Sequence, residues 1–207
     1  QNYYWFFKSA LPSHFCDKLV KYGNSKKEQI ALTGGLKLDD KENLKEQELN
    51  DLKQKRDSNI VWLSERWLYR YIHHYVHIAN YNSGWNFQWD FSENAQFTKY
   101  KLNQFYDWHC DSWMEPYGDK ESGNLKGKIR KLSVTCSLSD PTDYKGGEFE
   151  FRFQNNDNGN FVDKTCYEIM PKGSIVVFPS FIYHRVKPVT EGTRYSLVMW
   201  NCGNPWK

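Results

Sequence analysis

The chain has 207 residues, 26% of them charged, a formal charge of +3 and a mean hydropathy of −0.82. That length suits one domain with a substantial core, and the composition argues against an integral membrane protein, since no apolar run approaches the roughly 18 residues a spanning helix needs. The lysines are dispersed among acids, so no basic stripe points to nucleic acid as a partner.

In chain order, Tyr3–Phe7 is short, aromatic and strand-prone. Ser13 can cap a helix running to about Tyr22, with Phe15, Cys16, Leu19 and Val20 on one face and Gly23 as its stop. Residues 24–58 are polar and rich in lysine and glutamate, the pattern of solvated loops. From Ile60 to about Asn80 apolar residues recur at helical spacing, including Trp62, Leu63, Leu68, Ile72 and Val76, which predicts the longest helix. His73 and His77 on it have the i, i+4 spacing of a metal pair, but no third ligand lies nearby and packing histidines are commoner.

After Asn82-Ser83-Gly84 the texture turns to β. Strands are predicted near 85–91, 95–102, 129–139, 147–153, 166–170, 174–178 and 194–201, with turns at Gly146-Gly147 and Asn155–Gly159. Two helices followed by seven short strands imply an α+β protein with a barrel or sandwich core. No repeat or linker divides it. The expected organisation is a single domain over 1–207, with helical support over about 1–82 and a β core over about 83–207. Five cysteines (16, 110, 136, 166, 202) form no CxxC pair and leave one unpaired under any disulfide scheme; with no signal peptide pattern, this favours a reducing, cytoplasmic setting. The high aromatic content, 17%, reads as core and surface shelves, or as a groove lined with rings.

The chemistry-bearing pattern is His109-Cys110-Asp111, followed 75 residues later by His184 and then by Arg194. On a strand, His109 and Asp111 point to one face while Cys110 points away. Two imidazoles and a carboxylate occupy one face of an octahedral metal and leave three positions open, the donor set of non-haem Fe(II) oxygenases. Arg194 and Ser196 also share a strand face, and a guanidinium with a hydroxyl can hold a carboxylate. An ordinary salt bridge is the competing reading for an isolated arginine. Tyr100 lies nine residues before His109 and can add a phenolic hydrogen bond.

Three stretches carry a resemblance: YKLNQFYDWHCD (Tyr100–Asp111), KLSVTCSLSDPTDYKGGEF (Lys131–Phe149) and KGSIVVFPSFIYHRVKPVTEGTRYSLVMW (Lys172–Trp200). Over roughly 95–202 the chain resembles the 2-oxoglutarate/Fe(II) dioxygenases of the prolyl 4-hydroxylase superfamily, most of all the PKHD-type hydroxylases. Arg56-Asp57-Ser58 and the following helix resemble the family's N-terminal support. The resemblance implies a double-stranded β-helix, a jelly-roll, cupin-like barrel. It implies iron ligation by His109, Asp111 and His184, and cosubstrate binding by Arg194, with Tyr100 and Ser196 beside it. Fe(II), 2-oxoglutarate and O2 are then the expected cofactors, with ascorbate as reductant. A proline-containing peptide or protein is the expected partner. Arg194 stands where collagen-type enzymes usually carry lysine, which speaks against a collagen-like substrate; Asp111 speaks against halogenation. A free amino acid or other small molecule as substrate, and a non-catalytic metal-binding barrel, are the alternatives. The oligomeric state is not legible.

Overall fold

The computed structural model describes residues 2–31, 52–118, 123–154 and 159–206. Its elements run β1 (Trp5–Phe7), α1 (Ser13–Asn24), β2 (Gln29–Ile30), β3 (Arg56–Asp57), β4 (Asn59–Leu63), α2 (Arg66–Asn82), β5 (Phe91–Ser92), β6 (Ala95–Tyr100), β7 (Phe105–His109), β8 (Ile129–Ser137), β9 (Tyr144–Gly146), β10 (Phe149–Gln154), β11 (Phe161–Thr165), β12 (Ile175–Pro179), β13 (Tyr183–Val186), β14 (Val189–Gly192) and β15 (Arg194–Gly203).

Among the described residues these strands form three antiparallel sheets. The large one has the order β1-β12-β8-β15-β6-β4-β2, with β5 on β15; the smaller is β11-β10-β13-β7-β3; β9 and β14 form a two-stranded ladder. The period of two along each strand builds the layers. Ile175 and Val177 of β12 and Leu197 and Met199 of β15 join Leu19, Leu68, Ile72 and Val76 in a core under the helices. Val176 and Phe178 point the other way and pack on Phe149, Phe151 and Val186 between the two main sheets. The molecule is therefore helices on a sheet on a second sheet.

The α+β expectation holds, but the closed double-stranded β-helix barrel does not. Among the described residues, no strand of the large sheet pairs with one of the smaller, and neither sheet closes on the other. The chain passes between sheets at corners instead, as at Ser58, where β3 of the smaller sheet gives way to β4 of the large one. A strand that switches sheets through a bend makes the corner of a sandwich and carries no ladder across it.

Other expectations shift as well. The helical pattern from Ile60 splits at Ser64-Glu65: residues 59–63 form β4, and α2 begins at Arg66, burying Leu68, Ile72, Val76 and Ala79 as one stripe. Strands pack apolar runs as well as helices do, and the β-branched Ile60-Val61 pair favours the strand. Helix α1 runs through Gly23 and stops near Ser25; its start has Pro12 in the cap position and no side-chain cap from Ser13. Gly23 is a packing requirement, because a Cβ there would lie 2.5 Å from the Phe97 ring. The strand expected at 85–91 shrinks to Phe91–Ser92, and 166–170 is a 3-10 turn at Tyr167–Ile169. Most of the turn expected at Asn155–Gly159 and of the polar segment 24–58 lies outside the described residues.

Candidate metal centre

The site forms where β7 and β13 pair inside the smaller sheet. His184 lies directly opposite His109, and the register slips before Val186. Paired residues share a face, so both imidazoles enter the space between the sheets. Asp111 stands just past the end of β7, so strand alternation alone does not aim it. Its N–H donates to the Ser180 carbonyl at 2.8 Å, as does that of Ser112 at 3.0 Å, which pins the segment after β7 to the turn before β13. Cys110 turns aside, its Sγ directed to the Ser112 carbonyl.

The three side chains converge. His109 Nε2 lies 3.7 Å from Asp111 Oδ1 and His184 Nε2 lies 3.6 Å from Oδ2. All three ligand atoms fall within 4.8 Å of one another, and no other such group occurs among the described residues. Cis ligands bound at about 2.1 Å are about 3 Å apart, so small side-chain rotations would seat an ion. His109 Nδ1 is 2.7 Å from the Asp107 carbonyl and His184 Nδ1 is 2.9 Å from the Ile182 carbonyl. A carbonyl only accepts, so each Nδ1 carries the proton and each Nε2 keeps its lone pair for a metal. The donor set thus fits a divalent iron with open positions.

Burial, and then the neighbouring His184, hold the His109 imidazole well below its usual range. Burial pushes the Asp111 carboxyl up, but His184, His109 and Arg130 outweigh it, and the net shift is down. Both directions favour the metal-binding forms, neutral imidazole and carboxylate. Tyr106 stacks on His109 with centroids 3.4 Å apart, and burial pushes its phenol up to about 12. The Arg56 guanidinium lies 4.3 Å from the centre of the Tyr106 ring and donates to Gln96 Oε1 at 2.7 Å and Ser58 Oγ at 3.0 Å.

Arg194, Ser196 and Tyr100 line the same cavity as the three ligands. Arg194 pairs with Tyr100 across β15 and β6, and its guanidinium sits 5.6 Å from the Tyr100 ring. Only 3% exposed, it has no hydrogen bond or ion pair among the described residues. A buried guanidinium without an anion is costly; among the described residues the ordinary salt bridge is absent, which leaves Arg194 as a cation on the cavity wall with no counter-charge from the fold. The double glycine explains how Arg194 fits: a Cβ on Gly147, at φ +65°, would lie 3.0 Å from Arg194 Cδ.

Sequence reasoning missed the support behind Asp111. Arg130 forms a two-pronged pair with Glu93 at 2.6 and 2.7 Å, and Glu93 also accepts from Tyr117 at 2.8 Å. The Arg130 guanidinium lies 4.0 Å from the Trp200 ring and 3.5 Å from the Asp111 carbonyl. Burial works against the Arg130 charge, and the Glu93 carboxylate more than offsets it. Glu93 and Arg130 are 37 residues apart, and no local pattern joins them. Trp200, six residues past Arg194 on β15, also lines the cavity, with a buried indole N–H that has no hydrogen-bond partner among the described residues. His73 and His77 are packing histidines: His73 Nε2 meets Ser92 Oγ at 2.9 Å, and both rings lie on Trp89.

Among solved structures, the fold is similar to a Trichoplax adhaerens prolyl hydroxylase in complex with a hypoxia inducible factor peptide fragment (TM-score 0.64, 18% identity, covering 97% of this chain and 84% of that one). It is also similar to a Pseudomonas putida prolyl-4-hydroxylase (TM-score 0.62, 18% identity, covering 97% and 92%). In sequence, the PKHD-type hydroxylase YbiX of Escherichia coli K12 is 36% identical over 105 residues. That match takes in 50% of this chain and 40% of the relative, so the chain spans well under half the length of such relatives. The family model described as the 2OG-Fe(II) oxygenase superfamily matches residues 95–202, more than half of the chain and the stretch that carries every residue lining the cavity except Arg56. The chain belongs to the 2OG-Fe(II) oxygenase superfamily.

Proposed function

We propose that the protein is an Fe(II)- and 2-oxoglutarate-dependent hydroxylase acting on prolyl residues of a peptide or protein. The observation that carries the oxygenase part is the convergence, in one cavity, of the facial triad and an unpaired buried arginine. His109, Asp111 and His184 hold the iron. Arg194 receives the distal carboxylate of 2-oxoglutarate through charge-assisted hydrogen bonds, with Tyr100 and Ser196 flanking it. Bound iron and 2-oxoglutarate supply O2 activation and oxidative decarboxylation to succinate and CO2. The protein's own groups orient the two ends of the cosubstrate, keep both Nε2 atoms unprotonated and exclude water with Phe149, Phe178 and Tyr106.

The prolyl substrate draws its support from the similarity to solved prolyl hydroxylases and from Trp113 and Met114, exposed large side chains just past Asp111. Exposed apolar groups beside a buried ligand set suit an extended peptide better than a small ligand that must be enclosed. Ascorbate belongs to the proposal as the reductant that returns iron to the ferrous state. So does a cytoplasmic setting, supported by five free thiols; no described helix is long and apolar enough to cross a membrane. Residues 1–82 act as support and 83–207 as the catalytic part of one unit.

The test is incubation with proline-containing peptides, Fe(II), ascorbate and 2-oxoglutarate, followed by mass spectrometry. Gain of one oxygen on proline is the expected result. Oxygen found only on a free amino acid, with peptides unchanged, would move the assignment to small-molecule oxidation.

A further inference from the structure

Arg194 stands out because it is a buried cation without a partner. Among the described residues one other cation shares that property. Arg56, also buried, is bonded to Gln96 and Ser58, whereas Lys131 is 4% exposed and has no hydrogen bond or ion pair. Its Nζ lies 3.3 Å from the centre of the Trp206 ring. One cation–π contact recovers only part of what desolvating an ammonium costs. Burial accordingly pulls the Lys131 ammonium below the usual lysine range.

Lys131 borders a cleft of about 490 Å3, within the range of small-molecule sites. Phe87, Trp89 and Trp206 supply its rings and Asn204 an amide. The acid on its wall, Asp90, is taken by Lys128, whose Nζ lies 2.7 Å from both carboxylate oxygens. The wall is firmly built, since Gly203 at the end of β15 packs so closely that a Cβ would lie 2.3 Å from the Gln88 carbonyl. None of the lining residues belongs to the metal cavity.

We propose that this cleft is a second ligand site, which binds a small aromatic carboxylate with its anion on Lys131 and its ring against Phe87, Trp89 and Trp206. The anion supplies the counter-charge that the fold withholds, and the rings supply apolar area for a flat body. A carboxylate without a ring would meet the charge but leave the walls unused.

The test is calorimetric titration of the full chain with benzoate, and with benzamide as the uncharged counterpart. Benzoate is expected to bind at one site and benzamide at least tenfold more weakly. Lys131→Met should weaken benzoate at least tenfold, while Arg194→Met and saturating 2-oxoglutarate leave it unchanged. Equal binding to Lys131→Met, equal binding of benzamide, displacement by 2-oxoglutarate, or no binding at all would overturn the proposal. A measurement on the unaltered protein guards against a variant that fails to fold: benzoate should protect Lys131 from an amine-acylating reagent, read by peptide mass spectrometry. Labelling that benzoate does not alter, or a Lys131 that is never labelled, would count equally against the site. Because the two cavities share no residue, failure here leaves the oxygenase reading untouched.

Discussion

Replacing Arg194 by Met separates binding from folding. Arg194 is 3% exposed, its guanidinium lies 5.6 Å from the Tyr100 ring, and it has no hydrogen bond or ion pair among the described residues. Methionine fills a similar volume without a charge to desolvate, and an unpaired buried charge carries a desolvation penalty of roughly several kcal/mol that the variant removes. The ligand-free variant should therefore melt no lower than the wild type. The cosubstrate should respond in the opposite sense. A hydrogen bond to a charged group contributes about 1.5–3 kcal/mol, and every 1.4 kcal/mol is about tenfold in affinity. Loss of the guanidinium is thus expected to weaken 2-oxoglutarate by roughly 10- to 150-fold. The assay pairs thermal melting of the metal-free protein with titration of 2-oxoglutarate into the Mn(II)-loaded protein, so that no turnover intervenes. A cosubstrate affinity within twofold of wild type would refute the role of Arg194. A large loss of stability would show that the cation has a partner inside the fold.

Three further outcomes follow from the geometry. His109→Ala should keep the far-ultraviolet circular dichroism of the wild type yet lose stoichiometric Mn(II) binding and 2-oxoglutarate turnover; unchanged succinate production would remove His109 from the ligand set. Arg130→Met should destabilise the fold by up to about 3–5 kcal/mol, because it strands the largely buried Glu93 carboxylate, 11% exposed, and a paired Glu93→Gln change should recover part of that loss in denaturant melts; a neutral single variant would mean the pair is not a support. Tyr106 gives a pH signature. Its folded value of about 12 lies above the usual 10.0, so its contribution is complete below pH 10 and is lost as the pH rises towards 12. Tyr106→Phe should flatten that part of the alkaline stability loss, and identical alkaline profiles would show the phenol is not buried as described.

Sequence and structure agree most where chemistry is local. His109, Asp111, His184 and Arg194 were legible because spacing and residue type together define a donor set, and the folded chain brings all four into one cavity. Local patterns reported the stripes of α1 and α2 equally well. They misread Ile60–Leu63, since an apolar run suits a strand as well as a helix until its end is marked, here by Ser64-Glu65. They did not find β7 and β13, the strands that carry the two histidines, because both are short and punctuated by polar residues. Closure of the sheets was illegible for a different reason. It depends on whether edge strands meet across space, and a residue pattern within one strand cannot report that. The Glu93–Arg130 pair and the unpaired state of Lys131 are likewise properties of contacts between distant segments.

The most direct test of the central claim is a count of succinate and CO2 formed from 2-oxoglutarate by the purified protein, with and without Fe(II), beside the Asp111→Ala variant. Iron-dependent formation of both products in equal amounts is expected of the wild type, and none above background of the variant. Wild-type protein shown to hold one iron and one 2-oxoglutarate, yet forming neither product with any peptide supplied, would contradict it.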